Sequence, residues 1–442
     1  MAYIPHTDAE RKEMLAAIGF ESLDDMYSEL PEAVRFPDLE LPEAASEMEV
    51  IEELQLLSQA NLHVRQASCF LGAGAYNHYV PSVVDHVLRR NEFYTAYTPY
   101  QPEVSQGTLQ AIFEFQSLIT FLTGMEVANA SHYDGATALA EAAILALNHH
   151  RDERTKIVIS PGIHPQYREV IRTYLQGQEL DIVGDESLTS DLASHIDETT
   201  SMVAVQYPDF FGNIQDLKAL GEAVHEAGAL LCVVTNPTAL GMLKPPSEFG
   251  ADIVVGEGQP LGIPLSYGGP YIGFFATRDE FVRKLAGRLV AETLDSRGQR
   301  GYVLALAPRE QHIRRERATS NICTNQGLMA LAVTAYLSTV GRSGLKQVAE
   351  LCYHKAHYAA QKIDELDRYK LWNKDPFFHE FVVRCPRPVA EVNEKLLDHD
   401  IIGGYDLGRD YPELADHMLI AVTELNYKED IDALVEALNE HA

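Results

Sequence analysis

Residues 252–275 read DIVVGEGQPLGIPLSYGGPYIGFF. The apolar run at 253–255 predicts a buried β-strand that enters a glycine-rich loop, and the apolar run at 271–276 predicts the strand that leaves it. The loop contains no lysine, since the nearest ones are Lys244 before it and Lys284 after it. A Schiff base requires a primary amine whose pKa a dry pocket can lower, so this loop cannot supply one.

The chain around this loop alternates between apolar, β-branched runs and stretches of helical periodicity. Strands that are apolar on both faces and separated by helices are typical of a mostly parallel sheet with helices on both sides. The sequence therefore predicts an α/β fold with a large domain at residues 66–326. Its predicted strands are 156–160, 180–183, 201–206, 230–234, 253–255 and 271–276, and its predicted helices include 135–147, 165–175, 216–227 and 279–285.

A helical arm at residues 1–65 is predicted before this domain. Thr7 and Glu10 have the spacing of a capping box, and Gly19 would end that helix. Further helices are predicted at 22–30 and from about Val50 to Leu62. Such an arm either clasps a partner subunit or covers its own core.

Residues 327–442 predict linking helices and a small C-terminal α+β domain. A long helical region runs to about residue 366. Strands are then predicted at 377–383, 401–402 and 418–422, with helices at 389–397 and 430–438. This order of strands and helices indicates a second, smaller core.

The charge balance excludes several classes of partner. Among 442 residues, 35 are basic and 65 acidic, which gives a net charge of −30. This field repels phosphate backbones and anionic lipids, so we expect no binding to nucleic acid or to membranes. The five cysteines are scattered and form no C-x-x-C pair, which indicates neither a disulfide framework nor a metal site. No signal peptide and no long apolar window occur, so we expect a cytoplasmic protein.

The glycine-rich run LGAGAY at 71–76 invites comparison with a dinucleotide-binding loop. Asn77 stands where the third glycine of that motif should be, and no convincing strand precedes the run. A tight backbone turn is therefore the favoured interpretation.

Residues 131–140 predict the start of an alanine-rich helix. The free N–H groups at such an N-terminus, together with the helix dipole, can bind a phosphate. Asp134 and Thr137 can equally cap the helix themselves, and the charge of Asp134 would repel a phosphate. Both interpretations remain open on the pattern alone.

Two polar stretches are further candidates for contact regions. Residues 94–107 are rich in hydroxyl groups and contain two prolines, as an ordinary loop or a binding site would be. Residues 309–324 gather four arginines in an acidic protein. They predict either a helix with Arg–Glu pairs through Glu310 and Glu316 or a contact with an anion or partner subunit. The arginines are Arg309, Arg314, Arg315 and Arg317.

Four strings of sequence resemble the glycine cleavage system P-protein family, glycine dehydrogenase (decarboxylating). They are YIPHT at 3–7, FLGAGAYNHYVP at 70–81, YTPYQPEVSQG at 97–107 and RRERATSNICTNQ at 314–326. The resemblance covers essentially the whole chain and is to the N-terminal or α half, subunit 1, which many bacteria make separately. It implies the aspartate-aminotransferase-like fold, fold type I of the pyridoxal-phosphate-dependent transferases.

The resemblance also explains what the chain lacks. In this fold a strand–loop–strand like 252–275 carries the Schiff-base lysine, and a core strand ends at an aspartate that pairs with the pyridinium nitrogen. Here the loop has no lysine, and the strand end reads Thr235-Asn236. The resemblance implies that pyridoxal phosphate is bound covalently by the homologous β subunit and not by this chain. We therefore expect no catalytic residue here, and a colourless protein that is inactive alone.

Active sites of this fold lie between two subunits. By this analogy two stretches of the chain should face the cofactor that the β subunit binds. The predicted contact residues are Tyr97, Thr98, Tyr100, Gln101, Ser105, Gln106, Ser320, Asn321 and Thr324.

The implied activity is the decarboxylation of glycine by an α2β2 assembly, with transfer of the aminomethyl group to the lipoyl H-protein. This chain would contribute walls and hydrogen bonds that orient the substrate and exclude water. Two alternatives remain: an independent pyridoxal phosphate enzyme that uses Lys244, and a non-catalytic homodimeric scaffold or regulator. A yellow protein would favour the first, and no gain in glycine-dependent CO2 exchange on mixing with the β subunit would favour the second.

Overall fold

The computed structural model describes residues 5–151, 153–322 and 324–440. Part of the YIPHT string and Cys323 lie outside these ranges. The chain divides into two compact units, of which the first ends at Leu62 and the second begins at His63. The predicted boundary between the large and small domains, at 326/327, stays a prediction.

The first unit contains the helices α1 (Asp8–Ile18) and α2 (Glu47–Gln59). The predicted capping box is present, because Thr7 accepts from the Glu10 N–H and the Glu10 side chain accepts from the Thr7 N–H. Gly19 ends α1 in the left-handed conformation. The helix predicted at 22–30 forms only a 3₁₀ turn at Asp24–Tyr27.

The second unit contains the remaining elements. Its helices are α3 (Ser82–Leu88), α4 (Asn91–Tyr94), α5 (Gln106–Thr123), α6 (Gly135–His149), α7 (Pro165–Leu175), α8 (Lys218–Glu226), α9 (Gln311–Arg314), α10 (Gly327–Asp364), α11 (Val389–Leu397) and α12 (Lys428–Glu440). Its strands are β1 (Ser68–Cys69), β2 (Val127–Ala128), β3 (Lys156–Ile159), β4 (Asp181–Val183), β5 (Thr200–Tyr207), β6 (Leu230–Thr235), β7 (Ile253–Glu257), β8 (Gly273–Thr277), β9 (Leu289–Leu294), β10 (Arg300–Ala305), β11 (Lys370–Leu371), β12 (Glu380–Arg384), β13 (Ile401–Ile402), β14 (Tyr405–Asp406) and β15 (His417–Ala421). None of the helices described here is long and apolar enough to cross a membrane.

The second unit contains a seven-stranded sheet in the order β2-β8-β7-β6-β5-β3-β4. The five strands from β7 to β4 are parallel, which confirms the mostly parallel sheet. Strand β8 is antiparallel to β7. The reason is the glycine-rich loop, which joins them without the helical crossover that a parallel pair requires.

Both faces of this sheet are buried. Val203, Val233 and Val254 point into one apolar core with residues of α5 and α10. Met202 and Ile253, their neighbours along the chain, point into the opposite core with residues of α6 and α7. Because successive side chains of a strand face opposite sides, double burial requires the continuous apolar runs seen in the sequence.

Two parts of the large domain differ from the prediction. The helix predicted at 279–285 is only a 3₁₀ turn at Asp279–Phe281. The chain then forms an unpredicted antiparallel hairpin of β9 and β10, which pairs Leu289 with Ala305 and Leu294 with Arg300. The outer residues of β9 are exposed, so this segment lacks the apolar run that marked the buried strands.

The C-terminal part follows the predicted order of elements. Helix α10 covers the predicted long helix, with an interruption at Gly341, where φ is +60°. A four-stranded antiparallel sheet has the order β11-β12-β15-β14, and α11 and α12 pack on it. The predicted strand at 401–402 instead pairs in parallel with β1, with Ser68 opposite Ile401.

Candidate functional site

The polar side chains at the end of β6 form hydrogen bonds within the chain. Thr235 Oγ1 donates to the Tyr207 carbonyl oxygen at 2.7 Å. Asn236 Nδ2 lies 3.0 Å from His379 Nε2. The two residues that replace the expected aspartate are therefore held by neutral partners, and neither carries a charge that could pair with a pyridinium.

The sequence pattern left open whether the N-terminus of α6 binds a phosphate or caps itself. In the structure it caps itself. Asp134 Oδ1 accepts from the Thr137 N–H at 2.7 Å, and the Thr137 hydroxyl accepts from the Asp134 N–H. Glu257 adds a second carboxyl group, because its Oε2 accepts from the Gly135 N–H at 3.1 Å. Two acidic side chains thus occupy the place where a phosphate would bind.

Glu257 connects this helix to the glycine-rich loop. Its Oε1 accepts from the N–H groups of Gln259 and Ile272, both at 3.1 Å. Burial raises the pKa of Glu257 to about 8, although the three N–H donors oppose that shift. The carboxyl group joins the end of β7, the loop and α6 at one point.

The cavity left between these groups is only about 30 Å³, roughly the liquid volume of one water molecule. None of the described residues in its wall is a lysine, and Lys244 is exposed to solvent instead. The lining residues are Gly74, Tyr76, His164, Tyr167, Gln206, Phe210, Val234, Thr235, Asn236, Pro237, Glu257 and Pro260. These residues do not fit pyridoxal phosphate, since they offer no amine, no carboxylate partner for the pyridinium and no free phosphate cradle.

A larger cavity of about 120 Å³ lies beside the predicted contact stretch. Three predicted contact residues line it: Tyr97, Thr98 and Thr324. The rest of the wall consists of Phe93, Ala96, Pro99, Thr108, Ala111, Ile112, Arg288, Asn325, Gly327, Leu328 and Leu331. The structure therefore brings together residues from both stretches that the sequence had linked only by resemblance.

Arg288 is a residue of this wall that sequence reasoning missed. Its side chain is 2 % exposed, and its Nη2 donates to the Tyr100 hydroxyl at 3.1 Å. The guanidinium also lies 5.5 Å from the centre of the Tyr100 ring, within the range of a cation–π contact. In the sequence it is one arginine among many, and only the fold shows that it is buried beside a cavity.

The other predicted contact residues do not join this cavity. Gln106 braces β10, because its Oε1 accepts from the Tyr302 N–H at 2.9 Å and its Nε2 donates to the Tyr302 carbonyl at 2.8 Å. Ser320 donates to Glu141 Oε1 at 2.6 Å and lines a separate, smaller cavity. Gln101, Ser105 and Asn321 line neither cavity.

The arginine-rich run is not the paired helix that one interpretation predicted. Helix α9 ends at Arg314, and Arg315 has φ of +54°. Glu310 points toward Arg288, with 3.7 Å between Oε2 and Nε. Glu316 and Arg317 form an exposed pair at 3.8 Å, which contributes little to stability. Arg314, Arg315 and Arg317 are exposed, and what they contact stays open.

A buried polar cluster of His78, Cys352 and Glu424 was also missed, since its members are far apart in sequence. Their potential ligand atoms lie within 4.8 Å of one another. Glu424 Oε2 lies 2.7 Å from His78 Nδ1 and 3.4 Å from Cys352 Sγ, and its Oε1 accepts from the Tyr79 N–H. Burial would raise the pKa of Glu424, but His78 and the N–H groups outweigh it and lower the pKa to about 2. Both carboxylate oxygens thus have partners within the chain.

Comparisons of sequence and of structure with known proteins point to the same family over nearly the whole chain. The family model for the glycine cleavage system P-protein matches residues 1–438. A protein of Thermomicrobium roseum named probable glycine dehydrogenase (decarboxylating) subunit 1 is 56 % identical, covering 100 % of this chain and 99 % of the relative. Its namesake in Geobacillus kaustophilus is 53 % identical, covering 99 % and 98 %. A crystal structure of glycine decarboxylase (P-protein), in an inhibitor-bound form, is 44 % identical with a TM-score of 0.91 and covers 100 % of both chains.

Proposed function

Since the chain belongs to the glycine cleavage system P-protein family, we propose that it acts as subunit 1 of glycine dehydrogenase (decarboxylating). In this proposal the chain is not a complete enzyme. It completes the active site of a homologous β subunit, and that subunit holds pyridoxal phosphate covalently. The coenzyme supplies the electron sink for glycine decarboxylation, and the aminomethyl group passes to the lipoyl H-protein.

The observation that carries this proposal is the closed pocket in the chain's own fold. The fold is that of the pyridoxal-phosphate-dependent transferases of fold type I. Asp134 and Glu257 occupy the N-terminus of α6, and the loop between β7 and β8 lacks a lysine. A chain that retains the fold but has closed this pocket can serve the reaction only through a second chain.

The contribution of this chain would come from the larger cavity. Tyr97, Thr98 and Thr324 offer hydroxyl groups there, and Tyr97 is 77 % exposed. Exposed tyrosines are typical of surfaces that another protein covers. In the assembly these groups would orient the substrate and exclude water, while proton and electron transfer occur on the β subunit.

Reconstitution tests the proposal. The purified chain should be colourless, and borohydride should attach no pyridoxyl group to it. Mixed with its β subunit and the lipoyl H-protein, it should raise glycine-dependent CO2 exchange at least about a hundredfold over the β subunit alone, because an incomplete site loses substrate positioning.

Two results would contradict it. A yellow chain with the coenzyme on Lys244 or another of its own lysines would make it an independent enzyme. Exchange that is equally fast without this chain would favour the scaffold or regulator.

A further inference from the structure

The buried pair of Arg288 and Glu310 is incompletely matched. Both side chains are at most 3 % exposed, yet Glu310 Oε2 lies 3.7 Å from Arg288 Nε, beyond hydrogen-bond distance. Among the described residues, neither oxygen of Glu310 nor Nε of Arg288 has a hydrogen-bond partner. Buried charges are normally joined by hydrogen bonds, because leaving their donors and acceptors unused is costly. The guanidinium therefore keeps at least one unused donor, the N–H at Nε.

Arg288 lines the cavity of about 120 Å³, and among the described residues of the wall it is the single one with a charged side chain. Thr98, Thr324 and Asn325 add neutral hydrogen-bonding groups, and most of the remaining wall is apolar. At about 30 Å³ per water, the space equals roughly four water molecules, enough for acetate or glycine. A mostly apolar cleft with one buried guanidinium and a few hydroxyl and amide groups suits a small carboxylate.

We infer that this cavity binds a small carboxylate through Arg288, and that Glu310 competes with the ligand for the guanidinium. The Tyr100 hydroxyl, which accepts from Nη2 at 3.1 Å, holds the arginine in place. That the ligand is the carboxylate of glycine rests on the proposed function. Binding of a simple carboxylate such as acetate does not depend on it.

Saturation-transfer NMR on the purified full chain, with sodium acetate as the probe, tests the binding. Wild type should show transfer to the acetate methyl group. E310Q should bind acetate several-fold more tightly, because the competing carboxylate is gone. The double variant R288M/E310Q should lose at least about tenfold in affinity, since the charge-assisted bonds are removed. It leaves no unpaired buried charge, and thermal unfolding verifies that it folds.

The matched control is R89M, which removes the exposed arginine that follows α3 and pairs with Asp85, and it should bind acetate as wild type does. Absence of transfer in wild type, equal affinity in R288M/E310Q, or weaker binding in E310Q would overturn the inference. Displacement of acetate by glycine supports glycine as the ligand, and acetate binding that glycine does not displace overturns that assignment.

A second measurement uses the chain assembled with its β subunit. R288K keeps the charge but loses the planar fork, so the KM for glycine should rise about tenfold while kcat changes less than about twofold. An unchanged KM would overturn a role for Arg288 in glycine binding. Wild-type assemblies without glycine-dependent exchange would instead refute the proposed function, and the acetate titration would still decide whether Arg288 binds a carboxylate.

Discussion

Two cavities of the second unit, the one at the ends of β6 and β7 and the one beside Arg288, differ in how their polar groups are used. At the ends of β6 and β7 the cavity is about 30 Å³, and the groups around it bond to one another: Glu257 alone accepts from three N–H groups. Beside Arg288 the cavity is about 120 Å³, and the Nε donor of the guanidinium has no hydrogen-bond partner among the described residues. Hydrogen-bonding capacity, and not only volume, thus distinguishes a closed site from an open one.

This contrast between the two cavities indicates where the chain can still bind a ligand. The Glu257 carboxyl group accepts a hydrogen bond at the N-terminus of α6, where a bound anion would otherwise accept it. The first site therefore needs no ligand. A buried arginine whose neighbour lies too far for a hydrogen bond gains from a ligand. The first site therefore contributes stability, and the second contributes recognition.

Removing Glu257 should have the largest effect. E257A leaves the N–H groups of Gly135, Gln259 and Ile272 without their acceptor, so we expect a loss of about 3 kcal/mol in the free energy of unfolding in urea. E222A, which removes an exposed carboxylate of α8, should change it by less than about 0.5 kcal/mol. Equal stability of the two variants would show that the first site is not held closed by Glu257.

A substitution at Gly273 tests whether β8 must pack closely against the N-terminus of α6. A Cβ at this position would lie 2.1 Å from the Asp134 carbonyl oxygen, which is backbone and cannot rotate away. G273A should therefore cost about 2 kcal/mol in urea unfolding. G177A is the control, because a Cβ at Gly177 meets nothing within 4 Å, and it should be neutral or slightly stabilising. A neutral G273A would mean that the strand can move away from the helix.

The pH dependence of stability tests the environment of Glu141, which accepts a hydrogen bond from Ser320 beside the smaller cavity. Burial raises the pKa of Glu141 to about 7 from an ordinary 4.5. The pKa of Glu141 is higher in the folded state than in the unfolded state, so protonation of this side chain stabilises the fold. Its contribution to the free energy of unfolding is complete below pH 4.5 and is lost as the pH rises through 7. E141Q stays neutral, so its stability relative to wild type should improve by roughly 2 kcal/mol between pH 5 and pH 8. A constant difference across that range would contradict the raised pKa.

The smallest expected effect is that of the Tyr100 hydroxyl on the open site. Y100F removes the acceptor for Arg288 Nη2 but keeps the ring, so we expect a loss of about 0.5–1 kcal/mol in urea unfolding. Acetate binding should weaken by about twofold to fivefold, because the guanidinium is less well positioned. Y94F removes a hydroxyl from another exposed tyrosine of the same segment and should leave both quantities unchanged.

Local signals predicted much of the fold. The capping boxes of α1 and α6 depend on residues three apart, and both formed. The strands of the large sheet other than the two-residue β2 were predicted, because burial on both faces demands a continuous apolar run. Short pairings were missed, such as Ser68 with Ile401, since a two-residue strand carries no periodicity and depends on a partner more than 300 residues away.

Contact of the candidate residues with a cofactor stays a prediction, and the structure shows which of them share a cavity. Tyr97, Thr98 and Thr324 line one cavity as a group, but Gln106 and Ser320 are held by Tyr302 and Glu141. Arg288 could not be selected from the sequence, because an isolated arginine gives no sign of burial. Glu257 lies within residues 252–275, yet its three N–H donors come from α6, from the loop and from Ile272 just before β8.

The sequence by itself determined that this chain has an α/β fold without an amine in its glycine-rich loop, because apolar runs and the absence of a residue type are properties of composition and order. Only the tertiary structure decided that Glu257 closes one site and that Arg288 borders another. Those roles depend on which donors and acceptors meet across distant segments, and that is decided by packing.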